Sequence, residues 1–381
     1  MSRSLKTAAP ISALWTTPSI LAASMLIAWA AEAAQFFVAQ GVALAILAWL
    51  QTLPEFAVEA VLAWKQQVPL LLANLTGALR LLTGLGWPMI YAVAAYFHRR
   101  KTGNRMGTIQ LKDEHCVEVI GLFAALAWGF VVWAKGSLDV IDAAVLIAVY
   151  CVYLWVLRRM PVAAEEAIED LDFVPRTIVK APRRLRIAGI VALFAAGGGL
   201  IYFTAESFLA SLLAVSASIG IPNFVFVQWV APFVSEFPEK VSAFYWARTV
   251  ERASMALMNM VSSNINQWTL LAAMLPIVYS MSRGAISAIP LDDQQELELL
   301  LTLGQSLLSA VMLLDMRLKW WEAAGLFGLW AVQFAFTTAV HDVVMATYFI
   351  WAGVELVRRV FILRNPPAVR LFREMWRKHV R

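Results

Sequence analysis

Apolar windows about 20 residues long recur along the whole chain, which is the length an α-helix needs to cross roughly 30 Å of hydrocarbon. Their centres lie near Met25, Ile46, Leu82, Leu126, Ala148, Ala195, Val227, Leu270, Leu307, Leu329 and Phe349. Short alternating segments of the barrel type do not repeat, so ten or eleven transmembrane helices are expected. The first window follows Arg3 and Lys6 and continues through SILAASMLIAWAAEAAQFFVAQ without a clear stop. It reads as a retained span rather than a signal peptide.

Composition agrees. Of 381 residues, 61% are hydrophobic and 15% charged, with 16 tryptophans, far from the balance of a soluble domain. The expectation is an all-α integral membrane protein. Cys116 and Cys151 have no Cys-x-x-Cys or Cys/His spacing that suggests a metal cluster or redox couple, and both read as buried thiols. The net charge of +5 does not point to nucleic acid, because the basic residues cluster between the spans.

That clustering gives an orientation. HRRKTGNRMGTIQLKDEH carries five Lys/Arg, the connection from Arg158 to Arg186 seven, and the tail from Arg358 to Arg381 eight, whereas SRGAISAIPLDDQQELE has one Arg against four acids. With eleven crossings and the N-terminus outside, all three basic segments and Arg317/Lys319 are cytoplasmic and the acidic segment is external. Only Arg3 and Lys6 dissent. The expected location is a prokaryotic cytoplasmic membrane.

The two halves of the chain resemble each other. LPEF at Leu53 to Phe56 answers FPEK at Phe237 to Lys240, followed at like distance by Asn74 and Asn259. PMIY at Pro88 to Tyr91 answers PIVY at Pro276 to Tyr279, and Asp142-Ala-Ala answers Glu322-Ala-Ala. Each unit holds five spans, an odd number, so the second copy enters from the opposite side: an inverted repeat. The expected divisions are residues 1–157 and 187–338 as repeats, with motif regions at about 50–91 and 234–279. Residues 158–186 form a cytoplasmic linker, and 339–381 an extra helix with a basic cytoplasmic tail.

A proline in a membrane helix frees a carbonyl, and an acid beside it costs roughly 2.5–3.5 kcal/mol on insertion scales. Glu55 and Glu239 therefore mark polar notches that present oxygen, the ligand atom of hard cations such as Na⁺ and Ca²⁺. Asn74, Asn259, Ser263 and Asn264 add amide and hydroxyl oxygen, or serve as interhelical glue. Facing notches would bring Glu55 and Glu239 together. Glu59 and Glu236, near the core acids, are expected at the cavity mouth, as is Lys65; Glu206 is a weaker candidate. His341-Asp342 reads as a solvated loop pair. No His-Glu-x-x-His, dinucleotide or phosphate-loop motif suggests an enzyme.

The motifs resemble the α-repeats of the sodium/calcium exchanger (cation/Ca²⁺ antiporter) superfamily, approximately Gly-Thr-Ser-x-Pro-Glu and then Gly-Asn-x-x-Gly-Ser-Asn. The resemblance implies that Glu55 and Glu239 bind cation. By position Ser235 matches the threonine, Thr52 the serine of the first repeat, Asn74 and Asn259 the asparagine, and Ser263 and Asn264 the Ser-Asn pair of the second. Departures stand beside these matches. Gln51 replaces a threonine, Glu236 a serine and Val234 a glycine, and the first repeat reads Gly77-Ala78-Leu79-Arg80. An inward Arg80 would pair with Glu55 or Glu236 and replace a bound cation; the alternative is that it snorkels or pairs elsewhere.

The implied function is secondary antiport, Ca²⁺ against Na⁺ or H⁺, by alternating access around the paired glutamates. A carboxyl group withdrawn from water is costly to ionise, which keeps proton coupling open. The alternative is a degenerate, non-transporting relative acting as a membrane sensor or scaffold. No cofactor is called for. The expected partners are the bilayer and transported inorganic cations, with no nucleic acid and the oligomeric state left open.

Overall fold

Glycine and proline punctuate the helices. A computed structural model describes residues 8–34, 36, 40–160, 168, 171–336, 340–362 and 366–380. Arg3, Lys6 and the linker residues 161–167, 169 and 170 lie outside them. The first half contains α1 (Ala13–Ala34), α2 (Gln40–Gln51), α3 (Leu53–Trp64), α4 (Val68–Leu81), α5 (Trp87–Thr102), β1 (Thr108–Gln110), α6 (Cys116–Lys135), β2 (Ser137–Leu138) and α7 (Val140–Leu157). A short helix, α8 (Phe173–Lys180), precedes the second half. There follow α9 (Arg183–Ile219), α10 (Asn223–Ser235), α11 (Phe237–Arg248), α12 (Ala253–Asn266), α13 (Ala272–Arg283), β3 (Ile289–Pro290), α14 (Asp293–Met312), β4 (Arg317–Lys319) and α15 (Trp320–Ala335). The extra span α16 (His341–Val357) and the short α17 (Pro367–Met375) complete the chain.

Every apolar window falls on a helix. Six helical runs are long and apolar enough to cross a membrane, and the bent pair α2–α3 makes a seventh. The α10–α11 and α12–α13 pairs and helices α15 and α16 continue the same up-and-down course, which gives the eleven-crossing all-α membrane fold of two inverted repeats plus one helix. Helices α5, α6, α9 and α13 each end on a left-handed glycine, Gly103, Gly136, Gly220 and Gly284, where a Cβ would be strained.

The inversion is visible in small features. A π-helical turn at Leu82–Gly86 joins α4 to α5, and its counterpart at Gln267–Leu271 joins α12 to α13. The α3–α4 turn places Gln66 at φ 57°, and the α11–α12 turn places Val250 at φ 71°. Gln66 Nε2 donates to Ser282 Oγ at 3.1 Å at the end of α13. On the other face, Lys101 Nζ donates to the Thr249 carbonyl at 3.0 Å.

Two antiparallel ribbons cross-link the repeats. β1 pairs with β4, with Ile109 opposite Leu318, and β2 pairs with β3, with Leu138 opposite Ile289. The repeated Asp142 and Glu322 stand just beyond. Asp142 Oδ2 accepts from the Asp139 amide at 2.8 Å, and Glu322 Oε2 from the Lys319 amide at 2.9 Å. These acids anchor helix starts, where negative charge is favoured. α16 packs on α14. Buried Arg359 fastens its far end to Glu322 at 2.6 Å, Asp315 at 2.9 Å and Glu355 at 3.1 Å.

Three expectations are revised. The acidic stretch assigned to an external loop becomes helical at Asp293, so Glu296 and Glu298 belong to α14. His341 is buried at the first turn of α16 rather than solvated in a loop. Cys116 is buried but Cys151 is exposed on the outer surface of the bundle, and both are free thiols.

Gly77 lets α4 press against α10: a Cβ there would lie 1.8 Å from the Gln228 carbonyl oxygen, whereas one at Gly328 meets nothing within 4 Å. Gly77→Ala is expected to destabilise the fold by about 1–3 kcal/mol through overpacking. Gly328→Ala should be neutral or stabilising by up to about 1 kcal/mol. Thermal unfolding in detergent, followed by circular dichroism, separates the two.

Candidate functional site

Both Pro-Glu motifs sit at breaks between helices. α2 and α3 meet at Thr52 with a bend of 50°, and Pro54 opens α3. α10 and α11 meet at Glu236, with Pro238 in the first turn of α11. Proline suits a first helical turn because its missing N–H would have no partner there. Thr52 Oγ1 donates to the Trp49 carbonyl at 2.8 Å, and Ser235 Oγ to those of Ala231 at 3.1 Å and Pro232 at 3.4 Å. Each hydroxyl spends its proton on the chain and keeps its oxygen lone pairs for another ligand.

Four carboxylates collect at these breaks. Glu55, Glu59, Glu236 and Glu239 are at most 2% exposed. Gln267 bridges the halves: its Nε2 donates to Glu55 Oε2 and to Glu236 Oε1, both at 2.7 Å. Lys240 Nζ stands 2.5 Å from Glu236 Oε2. Glu239 lies within electrostatic reach of both Glu55 and Glu236. Glu59 Oε1 accepts from Asn74 Nδ2 at 2.9 Å, and Asn259 Nδ2 donates to Gln51 Oε1 at 3.1 Å. Ser242, on the next turn of α11, donates to Glu32 Oε1 at 3.0 Å.

Several of the unmatched buried atoms fall on the repeated motifs. Glu55 Oε1, Glu59 Oε2, Asn74 Oδ1, Asn259 Oδ1 and Asn264 Oδ1 are buried without a hydrogen-bond partner among the described residues, and the Ser263 hydroxyl stands against the Glu239 carboxylate. Buried polar atoms are normally satisfied, and carboxylate and amide oxygens left over on these helices are of the kind a hard cation binds. The set is mixed in kind. Among the described residues no three His, Cys, Asp or Glu side chains gather as a metal cluster.

Several placements correct the sequence-based reading. Glu59 and Glu236 are not mouth residues; both are buried inside the bundle. Lys65 is paired with Glu206 at 2.8 Å, away from Glu55. Arg80 meets neither Glu55 nor Glu236. Its Nη2 is 2.6 Å from Glu298 Oε2, its Nη1 donates to Gln333 Oε1 at 3.0 Å, and its guanidinium lies 5.2 Å from the centre of the Trp229 ring. Arg80 points away because Glu298, buried on α14, offers a full opposite charge, with His341 Nδ1 on its other oxygen at 3.0 Å.

This second network had no counterpart in the sequence-based expectations. Gln228 Nε2 donates to Glu298 Oε2 at 2.9 Å, and Gln305 Nε2 to the Arg80 carbonyl at 2.9 Å. Gln333 Nε2 reaches Gln305 Oε1 at 2.9 Å and the Tyr348 hydroxyl at 2.8 Å. The available signal was the presence of glutamines in otherwise apolar spans. Gln267 closes the stretch NMVSSNINQ, directly after the asparagines that drew notice.

The chain matches the sequence profile of the sodium/calcium exchanger protein family over residues 9–158 and 189–339. A crystal structure of an H⁺/Ca²⁺ exchanger, CAX, is similar at 34% identity with a TM-score of 0.88, covering 97% of this chain and 92% of that one. The sodium-calcium exchanger NCX_Mj, soaked with Na⁺ and Sr²⁺, shares the fold at 17% identity and a TM-score of 0.55, covering 85% of this chain and 97% of that one. No curated protein matches at the same significance.

Removing Arg80 leaves the Glu298 charge buried with only His341 and Gln228 beside it. Arg80→Met is therefore expected to destabilise by about 3–5 kcal/mol, the usual consequence of breaking a buried pair. Adding Glu298→Gln should recover part of that loss. A double-mutant cycle read by thermal unfolding checks the coupling.

Proposed function

The chain belongs to the sodium/calcium exchanger protein family, and from that premise we propose that it exchanges Ca²⁺ for H⁺ across a membrane. The likeness to the H⁺/Ca²⁺ exchanger at 34% identity supports protons over sodium. The observation that carries the reading is the set of buried oxygens of Glu55, Glu239, Asn74 and Asn259 left without a partner among the described residues, with Gln267 joining Glu55 to Glu236 across the two helix breaks. Thr52 and Ser235 stand at those breaks with lone pairs to spare.

Charge counting sharpens the proposal. Glu236 and Lys240 neutralise one another at 2.5 Å, so the extra acid of the second repeat brings its own cation. Glu55, Glu59 and Glu239 then remain without a cation of their own, and one Ca²⁺, or two protons, would balance the charges of Glu55 and Glu239. Buried charges must be paired or neutralised, so departure of the divalent ion favours proton uptake at the same oxygens. Glu59, held on Asn74, stands one turn from Glu55 along α3. Rocking of one helix group against the other around this fixed site would open it to each face in turn.

In this reading residues 1–157 and 187–338 are the two repeats, joined by 158–186. The face bearing β1 and β4 is cytoplasmic, because Arg99, Arg100, Lys101, Arg158 and Arg159 lie there. The N-terminus is then outside and the C-terminus inside a prokaryotic cytoplasmic membrane.

Ca²⁺ uptake into proteoliposomes tests the reading. An imposed pH gradient should drive uptake, and Na⁺ or K⁺ gradients should not. Glu55→Gln and Glu239→Gln should each slow it at least tenfold, about 1.4 kcal/mol of barrier. Flux that survives both substitutions would sink the assignment, and a folded protein silent under every gradient would favour the sensor or scaffold alternative. Lys240→Met alone should impair flux by leaving Glu236 uncompensated, while Glu236→Gln/Lys240→Met should restore it to within about threefold.

A further inference from the structure

An apolar groove runs down the outside of the bundle between α6 and α7, walled by Ile120 and Ala124 on one side and Ala148 and Val152 on the other. Phe372 and Trp376 roof one end. Its volume is about 340 Å³. Under the same roof lies a second cavity of about 430 Å³, lined by Phe372, Arg373, Trp376 and Arg377. One aromatic pair thus separates an apolar slot from a basic pocket.

The roof is a built element. α17 is amphipathic: Ala368, Leu371, Phe372, Met375 and Trp376 pack toward the core, while Arg370, Arg373, Arg377 and Lys378 are exposed. The Trp376 ring stands 6.1 Å from that of Trp155 and 5.7 Å from that of Phe372. The Arg159 guanidinium lies 4.4 Å from the centre of the Trp155 ring, and its Nη1 donates to the Val380 carbonyl at 3.1 Å. Glu374, the acid nearest the pocket in sequence, lies 3.9 Å from Arg370. Arg373 and Arg377 make no hydrogen bond or ion pair among the described residues.

We infer that this pair of cavities is a binding site for one anionic phospholipid, an acyl chain lying in the α6–α7 groove and the phosphate held by Arg373 and Arg377. Charge complementarity selects the occupant. A basic concavity on the C-terminal helical segment suits an acidic head group, and guanidinium matches phosphate with two parallel hydrogen bonds. The apolar slot has no polar wall for a sugar or peptide, and it opens sideways to the hydrocarbon. The tryptophans lie where membrane interfaces favour them, at the junction of slot and pocket. Because α17 also packs against α6 and the turn that follows α14, a lipid seated here ties the C-terminal segment to the first repeat.

The test uses the purified full chain in neutral detergent, with native mass spectrometry counting bound lipid. One phosphatidylglycerol should be retained at a concentration at least tenfold below that needed for phosphatidylcholine. Arg373→Gln/Arg377→Gln should abolish that preference. Ala148→Phe, which fills the slot, should weaken retention at least tenfold with the arginines intact; if that variant fails to fold, Ala124→Phe probes the other wall. An unchanged melting temperature without lipid shows that a variant is folded. Equal retention of both lipids, or an unaltered preference in the arginine variant, overturns the proposal. Displacement of the lipid by millimolar inorganic phosphate also overturns it, by assigning the pocket to a soluble anion. None of these readouts depends on Ca²⁺ flux, so failure here and failure of the transport reading are distinguishable.

Discussion

Four carboxylates held out of water with one lysine ammonium among them leave an excess of negative charge that a protein interior does not tolerate unaided, and the surrounding architecture answers to it. Helices break at Thr52 and Glu236, beside the carboxylates of each repeat. One amide, that of Gln267, donates to both repeats at once. The remaining charge is left for something that comes and goes. A permanently satisfied site would be more stable and would transport nothing.

The Arg80 network works on the opposite principle. Its charges and amides are closed on one another, from Arg80 through Glu298 to His341 and on through Gln333, Gln305 and Tyr348. The guanidinium that follows the altered triplet of the first repeat is thereby drawn toward α14, α15 and α16 instead of the carboxylates. The asymmetry between the repeats is thus matched on both sides: Arg80 finds its acid on another helix, and Glu236 finds its lysine one turn along its own. Both charged departures from the family pattern carry their own compensation.

The span positions and the inverted layout were legible because long apolar windows and duplicated Pro-Glu motifs survive without knowledge of packing. Depth was not. A single helical turn, about 5.4 Å, separates a mouth residue from a buried one, and the 50° bend at Thr52, which no residue count supplies, decides where Glu59 lies. Glu298 and His341 were read as loop residues because each lies near the end of an apolar window, yet both belong to first or second helical turns that pack inward. Gln267 was passed over because an amide in a membrane helix reads as interhelical glue, and only its two contacts distinguish it. The contrast is physical: hydrophobic period reports which segments enter the membrane, whereas partner choice among buried polar groups depends on tilt and crossing.

The two ribbons bear on how such a chain is made. Each takes one strand from either half, β1 with β4 and β2 with β3, so neither can close while the first half alone has left the ribosome. Until the second half is inserted, the nascent protein carries an unpaired strand edge on both sides of the bilayer. Those edges act as latches that only the matching, oppositely oriented half can engage, and their register sets the two repeats against one another before any cation arrives.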